Sequence, residues 1–188
     1  IQTYDGNSKT VSVTTDPAGL ACAVTYDGLP DEPTDAGSYA VVATITNPNY
    51  QGSASDTLVI ELGNNLPSWK YEHFTETERL EGLADEDADP DSDGLKNLGE
   101  YALGTDPRQF TPQLVPILDA EGLSLIFTRP ASLPDVSYVA ESSGGLESWS
   151  PVPLEVIEEG DPETVRARDP LTSGDPSKRF LRLRFQKP

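Results

Sequence analysis

Asp89, Asp91 and Asp93 alternate at the head of the stretch DPDSDGLKNLGE, which continues through Gly94, Leu95 and Asn97 to Glu100. Three alternating carboxylates on a tightly curled backbone can aim at one centre, and an all-oxygen donor set of this kind suits a hard dication such as calcium. Counted from Asp89, the acids hold positions one, three and five, with Gly94 at six, Leu95 at seven, Asn97 at nine and Glu100 at twelve. Gly94 allows the sharp turn, and Leu95 offers its backbone carbonyl. Asn97 contributes directly or through water, and Glu100 closes the sphere with both carboxylate oxygens. An acidic run is commonly a solvated loop. A merely acidic loop, however, has no need of Gly at six and Glu at twelve together.

The flanking elements must hold those residues in place. After a boundary turn at Gly63–Pro67, Ser68 is placed to cap a short helix carrying Trp69 and Phe74. Thr75, with Glu78 three residues on, spells a capping box for a second helix, which Gly82 breaks. Asp85, Glu86 and Asp87 lead into the acidic loop and repel one another without a cation, so local order is expected to depend on metal. Beyond the loop, Leu95, Leu98 and Ala102 give the exiting helix an apolar face; Gly104 stops it and Asp106-Pro107 prevents continuation.

The loop spacing is that of an EF-hand, and the phrase DADPDSDGLKNLGEYALGTDP resembles dockerin and thrombospondin type 3 calcium repeats. Dockerins pair two such loops and here there is one, so cohesin binding is not carried over. One loop with one helix reads as a structural clamp, since a sensor opens a helix pair. Its expected calcium affinity is in the weak extracellular range, roughly 0.1 to 1 mM.

Residues 1–62 read as a β domain, with period-two segments at Thr10–Thr14, Cys22–Tyr26, Tyr39–Ile45 and Thr57–Ile60. Turn chemistry separates them at Asp5-Gly6, Asp16-Pro17-Ala18-Gly19, Asp27-Gly28 and Asn47-Pro48-Asn49. The phrases QTYDGNSKTVSVTT, PAGL, VTYDG, PTDAGSYAVVATI and NYQGSASDTLVI resemble the MBG-type bacterial immunoglobulin-like module of large surface and secreted proteins. That resemblance implies a spacer or adhesive module without catalysis. Such modules carry a further strand before the QTYDG phrase, so the expectation is an unfilled sheet edge beside Ile1, able to accept a strand from another chain.

Residues 111–188 return to β patterning at Leu123–Thr128, Val136–Glu141, Thr164–Arg168 and Leu181–Phe185, which predicts a small antiparallel sandwich. Trp149 is expected to anchor its core, an exposed sugar-stacking role being the alternative. Together with the calcium segment, the phrases SWKYEHF, LSLIFTRP, DVSYVAESS and RFLRLRF resemble the C-terminal region of large secreted proteins of the Verrucomicrobia and Planctomycetes type. The resemblance implies extracellular placement at the end of a long polypeptide.

The whole chain therefore reads as mainly β: two small Ig-like β-sandwich domains, at 1–62 and 111–188, joined by a short helical calcium-binding connector at 63–110 that fixes them relative to one another. A net charge of -19 over 188 residues argues against nucleic acid or anionic membranes as partners. No apolar run has the length of a membrane span. Cys22 is the single cysteine, which excludes an intrachain disulfide, and the absence of Met suggests a processed product or an excerpt of a longer precursor.

His73, the single histidine, has no orienting partner in the sequence, and no nucleophile elbow, zinc spacing or phosphate-cradling glycine loop occurs. No enzyme is expected: catalytic residues none, organic cofactor sites none, Ca2+ the single cofactor. Lys9 is considered for an intramolecular isopeptide bond, which nothing local specifies. Of 32 acids and 13 bases, the first 62 residues carry eight and one, and the basic side chains gather late, at Arg166, Arg168, Arg182 and Arg184. That polarity favours head-to-tail contact between copies. The expected function is an extracellular or cell-surface structural protein that self-associates into a fibre, head-to-tail or by strand donation. A carbohydrate-binding module using Trp149, Tyr138 and Tyr26 on surface glycans is the alternative, as is an ancillary region of a large secreted enzyme.

Overall fold

Tyr39, Val41, Ala43 and Ile45 turn to the covered side of one strand, while Ala40, Val42 and Thr44 face solvent. That alternation gives an antiparallel sheet with one packed face and one wet face. The computed structural model describes residues 1–169 and 179–188, which pack as two compact units, Ile1–Ser68 and Trp69–Pro188. The first unit contains β1 (Gln2–Thr3), β2 (Cys22–Tyr26), β3 (Gly37–Ile45) and β4 (Ser53–Glu61) in the order β1-β4-β3-β2. β2, β3 and β4 pair antiparallel, and β1 runs parallel to the end of β4. Tyr26, Val41, Leu58 and Ile60 form its buried centre.

The turns expected here hold for stated reasons. Asp27 (φ 49°) and Gly28 (φ 84°) both take the left-handed backbone that a two-residue turn of this type requires, and Tyr26 and Leu29 exchange backbone hydrogen bonds across it. At Asn47 the side-chain Oδ1 accepts from the Asn49 N–H at 2.9 Å, an Asx turn. Thr10–Thr14, expected as a strand, forms none. A strand needs a neighbouring ladder, and the contacts here are of side chains instead: the Val11 N–H donates to Tyr26 Oη at 3.2 Å and Gln2 Nε2 donates to the Thr10 carbonyl at 2.7 Å.

Helix α1 spans Leu66–His73. Its cap is Asn65, whose Oδ1 accepts from the Ser68 N–H at 2.8 Å. Ser68, the expected cap, lies instead inside the first turn, fully buried, where its Oγ accepts from the Gly63 N–H at 2.9 Å. Asn65 takes the role because the helix begins before Pro67, which suits a first turn that has no use for its missing N–H. Helix α2 (Glu76–Leu80) carries the reciprocal capping box of Thr75 and Glu78, and α3 (Asn97–Leu103) ends at Gly104 with φ 71°.

The remaining strands are β5 (Ile117–Asp119), β6 (Gly122–Arg129), β7 (Ser137–Ser143), β8 (Ser150–Val152), β9 (Leu154–Glu158), β10 (Glu163–Asp169) and β11 (Phe180–Gln186). They form two sheets, β5-β6-β10-β9 and β11-β7-β8. Leu123, Leu125, Ala140, Ala167 and Leu181 fill the space between them. Leu103 of α3 joins Phe127 and Val165 in an adjoining cluster, so the helix after the acidic loop contributes directly to the sandwich core. The Tyr138 hydroxyl donates to the Ala102 carbonyl at 2.6 Å, and the Tyr101 hydroxyl bonds Asp135. Trp149 does not anchor this core. It is half-buried beside β8, an edge strand with a neighbour on one side only, and the Arg182 guanidinium lies 3.8 Å from its ring centroid.

Candidate calcium site

Side-chain acceptors within the loop shape its backbone before any ion is considered. Asp89 Oδ1 and Oδ2 accept from the N–H groups of Asp93 at 3.2 Å and Gly94 at 3.0 Å. Asp91 Oδ1 accepts from the Asp93 N–H at 3.2 Å, and Asp93 Oδ1 from the Leu95 N–H at 2.7 Å. Gly94 has φ 95°, a conformation that costs a side-chain-bearing residue more than glycine. The curl brings Asp89, Asp91 and Asp93 together, with one carboxylate oxygen of each within 4.8 Å of the others.

The other two side-chain candidates sit one turn apart on α3, where residues three apart share a face. Asn97 is fully buried, its Nδ2 donating to the carbonyls of Leu83 at 2.9 Å and Asp85 at 2.8 Å. This anchoring of the incoming chain is a role its sequence position alone did not reveal. Glu100 is 1% exposed. Thr111, outside the loop, joins the two halves: its N–H donates to Asp93 Oδ2 at 2.6 Å and its hydroxyl lies 3.5 Å from Glu100 Oε2. Thr105 donates its hydroxyl to the same Oε2. Neither threonine falls within a twelve-residue loop pattern; the only sequence signal was the GTDP phrase that follows the helix.

Asp91 Oδ2, Asn97 Oδ1 and Glu100 Oε1 are buried without a hydrogen-bond partner among the described residues, where the one other such side-chain atom is Arg166 Nε. Buried polar atoms are ordinarily paired, and each that is not calls for an explanation. Burial also pushes the Asp91 carboxyl above its usual range, with the charges of Asp93 and Asp89 adding to the effect. Glu100 is pushed up to about 7, first by burial and then by Asp93 and Asp91, against an opposing hydrogen bond from Thr111. Three unmet oxygens beside a carboxylate triad fit a hard cation, since the donors are all oxygen and include no imidazole or thiol. Leu95, the remaining candidate, is half-buried at the turn and would contribute through its main chain.

The first unit has a known counterpart. Residues 1–64 match the family model of the MBG domain. No curated protein and no solved structure matches the chain. The MBG family comprises non-catalytic modules typical of extracellular, adhesion-type proteins, and its match covers the first unit without reaching the acidic loop. Among the described residues, no helix is long and apolar enough to cross a membrane. His73 packs against Trp69, with ring centroids 4.8 Å apart. Lys9 pairs with Asp5 at 2.7 Å.

Proposed function

We propose that this chain is an extracellular structural protein in which calcium, held by Asp89, Asp91, Asp93, Asn97, Glu100 and the Leu95 carbonyl, clamps the loop onto the sandwich of the second unit. The observation that carries the reading is the set of buried, unpartnered oxygens on Asp91, Asn97 and Glu100 beside the carboxylate triad. A bound dication would supply positive charge that offsets both their desolvation and their mutual repulsion. The MBG match supports the extracellular, non-catalytic setting.

Calcium titration by calorimetry tests the proposal. One site with a dissociation constant of roughly 0.1 to 1 mM is expected, absent from a Glu100→Gln, Asp91→Asn double variant. At 10 mM calcium the linkage relation then gives a stabilisation of about 1.4–2.7 kcal/mol. Heat indistinguishable from dilution in the wild type would refute it.

Assembly into a fibre draws on the charge polarity and on a sheet edge. The late arginines are engaged within their own unit: Arg166 with Glu155, Arg168 with Glu121, and Arg182 and Arg184 with Glu141. Strand addition at a sheet edge is the second route, and sedimentation velocity separates such a polymer subunit from a monomeric ancillary region. Of the three aromatics a glycan-binding face would use, Trp149 is half-buried with the Arg182 guanidinium over its ring. Tyr26 is 4% exposed, and Tyr138 lies against Phe127 and Phe185 with Arg129 over its ring.

A further inference from the structure

Glu100 presents two unequal oxygens. Oε2 accepts from the Thr105 hydroxyl, with the Thr111 hydroxyl 3.5 Å away, whereas Oε1 has no hydrogen-bond partner among the described residues. The Thr105 contact is preorganised by the backbone. Gly104 takes the left-handed conformation that ends α3, and the Thr105 N–H then returns to the Glu100 carbonyl at 3.0 Å, which sets the Thr105 side chain beside the Glu100 carboxylate. The Thr111 hydroxyl is also 3.5 Å from the Gln109 carbonyl, so Thr105 is the principal donor.

We propose that Thr105 holds Oε2 of Glu100 out of the coordination sphere, so that Glu100 gives the cation one oxygen and the site discriminates weakly between calcium and magnesium. The inference rests on the calcium reading above and adds a specificity-determining residue to it. A carboxylate offers about four lone-pair sites, two on each oxygen, and each donated N–H or O–H occupies one. Asp89 Oδ2 and Asp93 Oδ1 each accept one N–H and keep a site for the cation. Glu100 Oε2, in contrast, has two hydroxyls on it, Thr105 and Thr111, and loss of Thr105 frees a site. The seventh ligand that favours calcium comes from a glutamate binding through both oxygens. With one oxygen the set counts Asp89, Asp91, Asp93, Leu95, Asn97 and Glu100 as six, the number that magnesium requires.

Calorimetric titrations with CaCl2 and with MgCl2, on the wild type, Thr105→Val and Thr105→Ser, test this. Valine keeps the shape and removes the donor; serine keeps the donor. Thr105→Val is expected to raise the calcium-over-magnesium preference about tenfold, with Thr105→Ser staying at the wild-type ratio. Infrared difference spectra of the calcium-loaded wild type supply an independent readout. The glutamate stretching bands are expected in the single-oxygen pattern, giving way to the two-oxygen pattern in Thr105→Val. A two-oxygen pattern in the wild type overturns the inference even if the variant does not fold, and so does an unchanged selectivity ratio in a folded Thr105→Val. Those outcomes leave the calcium clamp standing. Absence of calcium binding by the wild type removes both.

Discussion

At Glu100, a proton and the proposed calcium ion would compete for the same carboxylate. The carboxyl is pushed up to about 7 in the metal-free chain, against 4.5 for an ordinary glutamate. Between those values the folded protein holds a proton that the unfolded chain has released, so this group makes stability fall as pH rises through the window. Glu86 and Glu78 have carboxyls held below their usual range, Glu86 chiefly by the Lys70 ammonium and Glu78 chiefly by the Thr75 N–H. Their contributions are complete above about pH 5 and are lost only in stronger acid. The metal-free protein is therefore expected to melt at a higher temperature at about pH 5.5 than at about pH 7.5, and Glu100→Gln is expected to flatten that slope. Calcium requires the carboxylate, so its affinity should fall over the same acidification. Melting curves of chelator-stripped protein and calorimetry across the range check both signs. The loop residues of the proposed site could be picked out because their spacing is local. Thr105 and Thr111 could not, because they act from beyond position twelve through a folded turn.

For the strands, alternation located β2, β3, β6, β7, β10 and β11 closely and the second half of β4, since each has one packed face and period two is the consequence. It missed the two- and three-residue strands β1 and β5, too short to show a period, and β8 and β9, where Pro151 and Pro153 interrupt the pattern. It also misplaced Trp149, because a bulky aromatic says how much area can be covered and nothing about which strand is an edge. Helix α3 shows a different limit. Its sequence suggested one apolar face, yet Asn97, Gly99, Glu100, Tyr101, Ala102 and Leu103 are all buried, because loop, sandwich and aromatic neighbours surround it. Trp69 and Tyr101 rings lie 5.9 Å apart. Two changes probe this docking without touching a ligand. Leu103→Ala opens the cluster with Phe127 and Val165 and is expected to cost about 2–4 kcal/mol. Tyr138→Phe leaves the Ala102 carbonyl unmet and is expected to cost about 1–2 kcal/mol. Urea unfolding of the calcium-loaded chain, with the midpoint followed at constant slope, measures both.

The whole molecule is divided so that the residues matching the MBG domain lie in one compact unit and the acidic loop in the other. The sheet of the first unit carries its own buried centre in Tyr26, Val41, Leu58 and Ile60, and none of the proposed ligands belongs to it. The second unit ties its acidic loop into the sandwich through Thr111, Tyr138 and Leu103. A ligand stabilises only the cooperative unit whose folded form binds it. Differential scanning calorimetry is thus expected to resolve two transitions, one independent of calcium and one moving upward with it. Dividing the calcium-dependent stabilisation by an unfolding entropy of about 2.1 cal/mol/K per residue for a unit of this size gives a shift of several degrees at 10 mM calcium. A separately expressed chain of residues 1–68 identifies the stationary transition by reproducing it. If both transitions moved together by the same amount, the loop would be stabilising the MBG module as well, and a clamp confined to the second unit would be the wrong description of what calcium does.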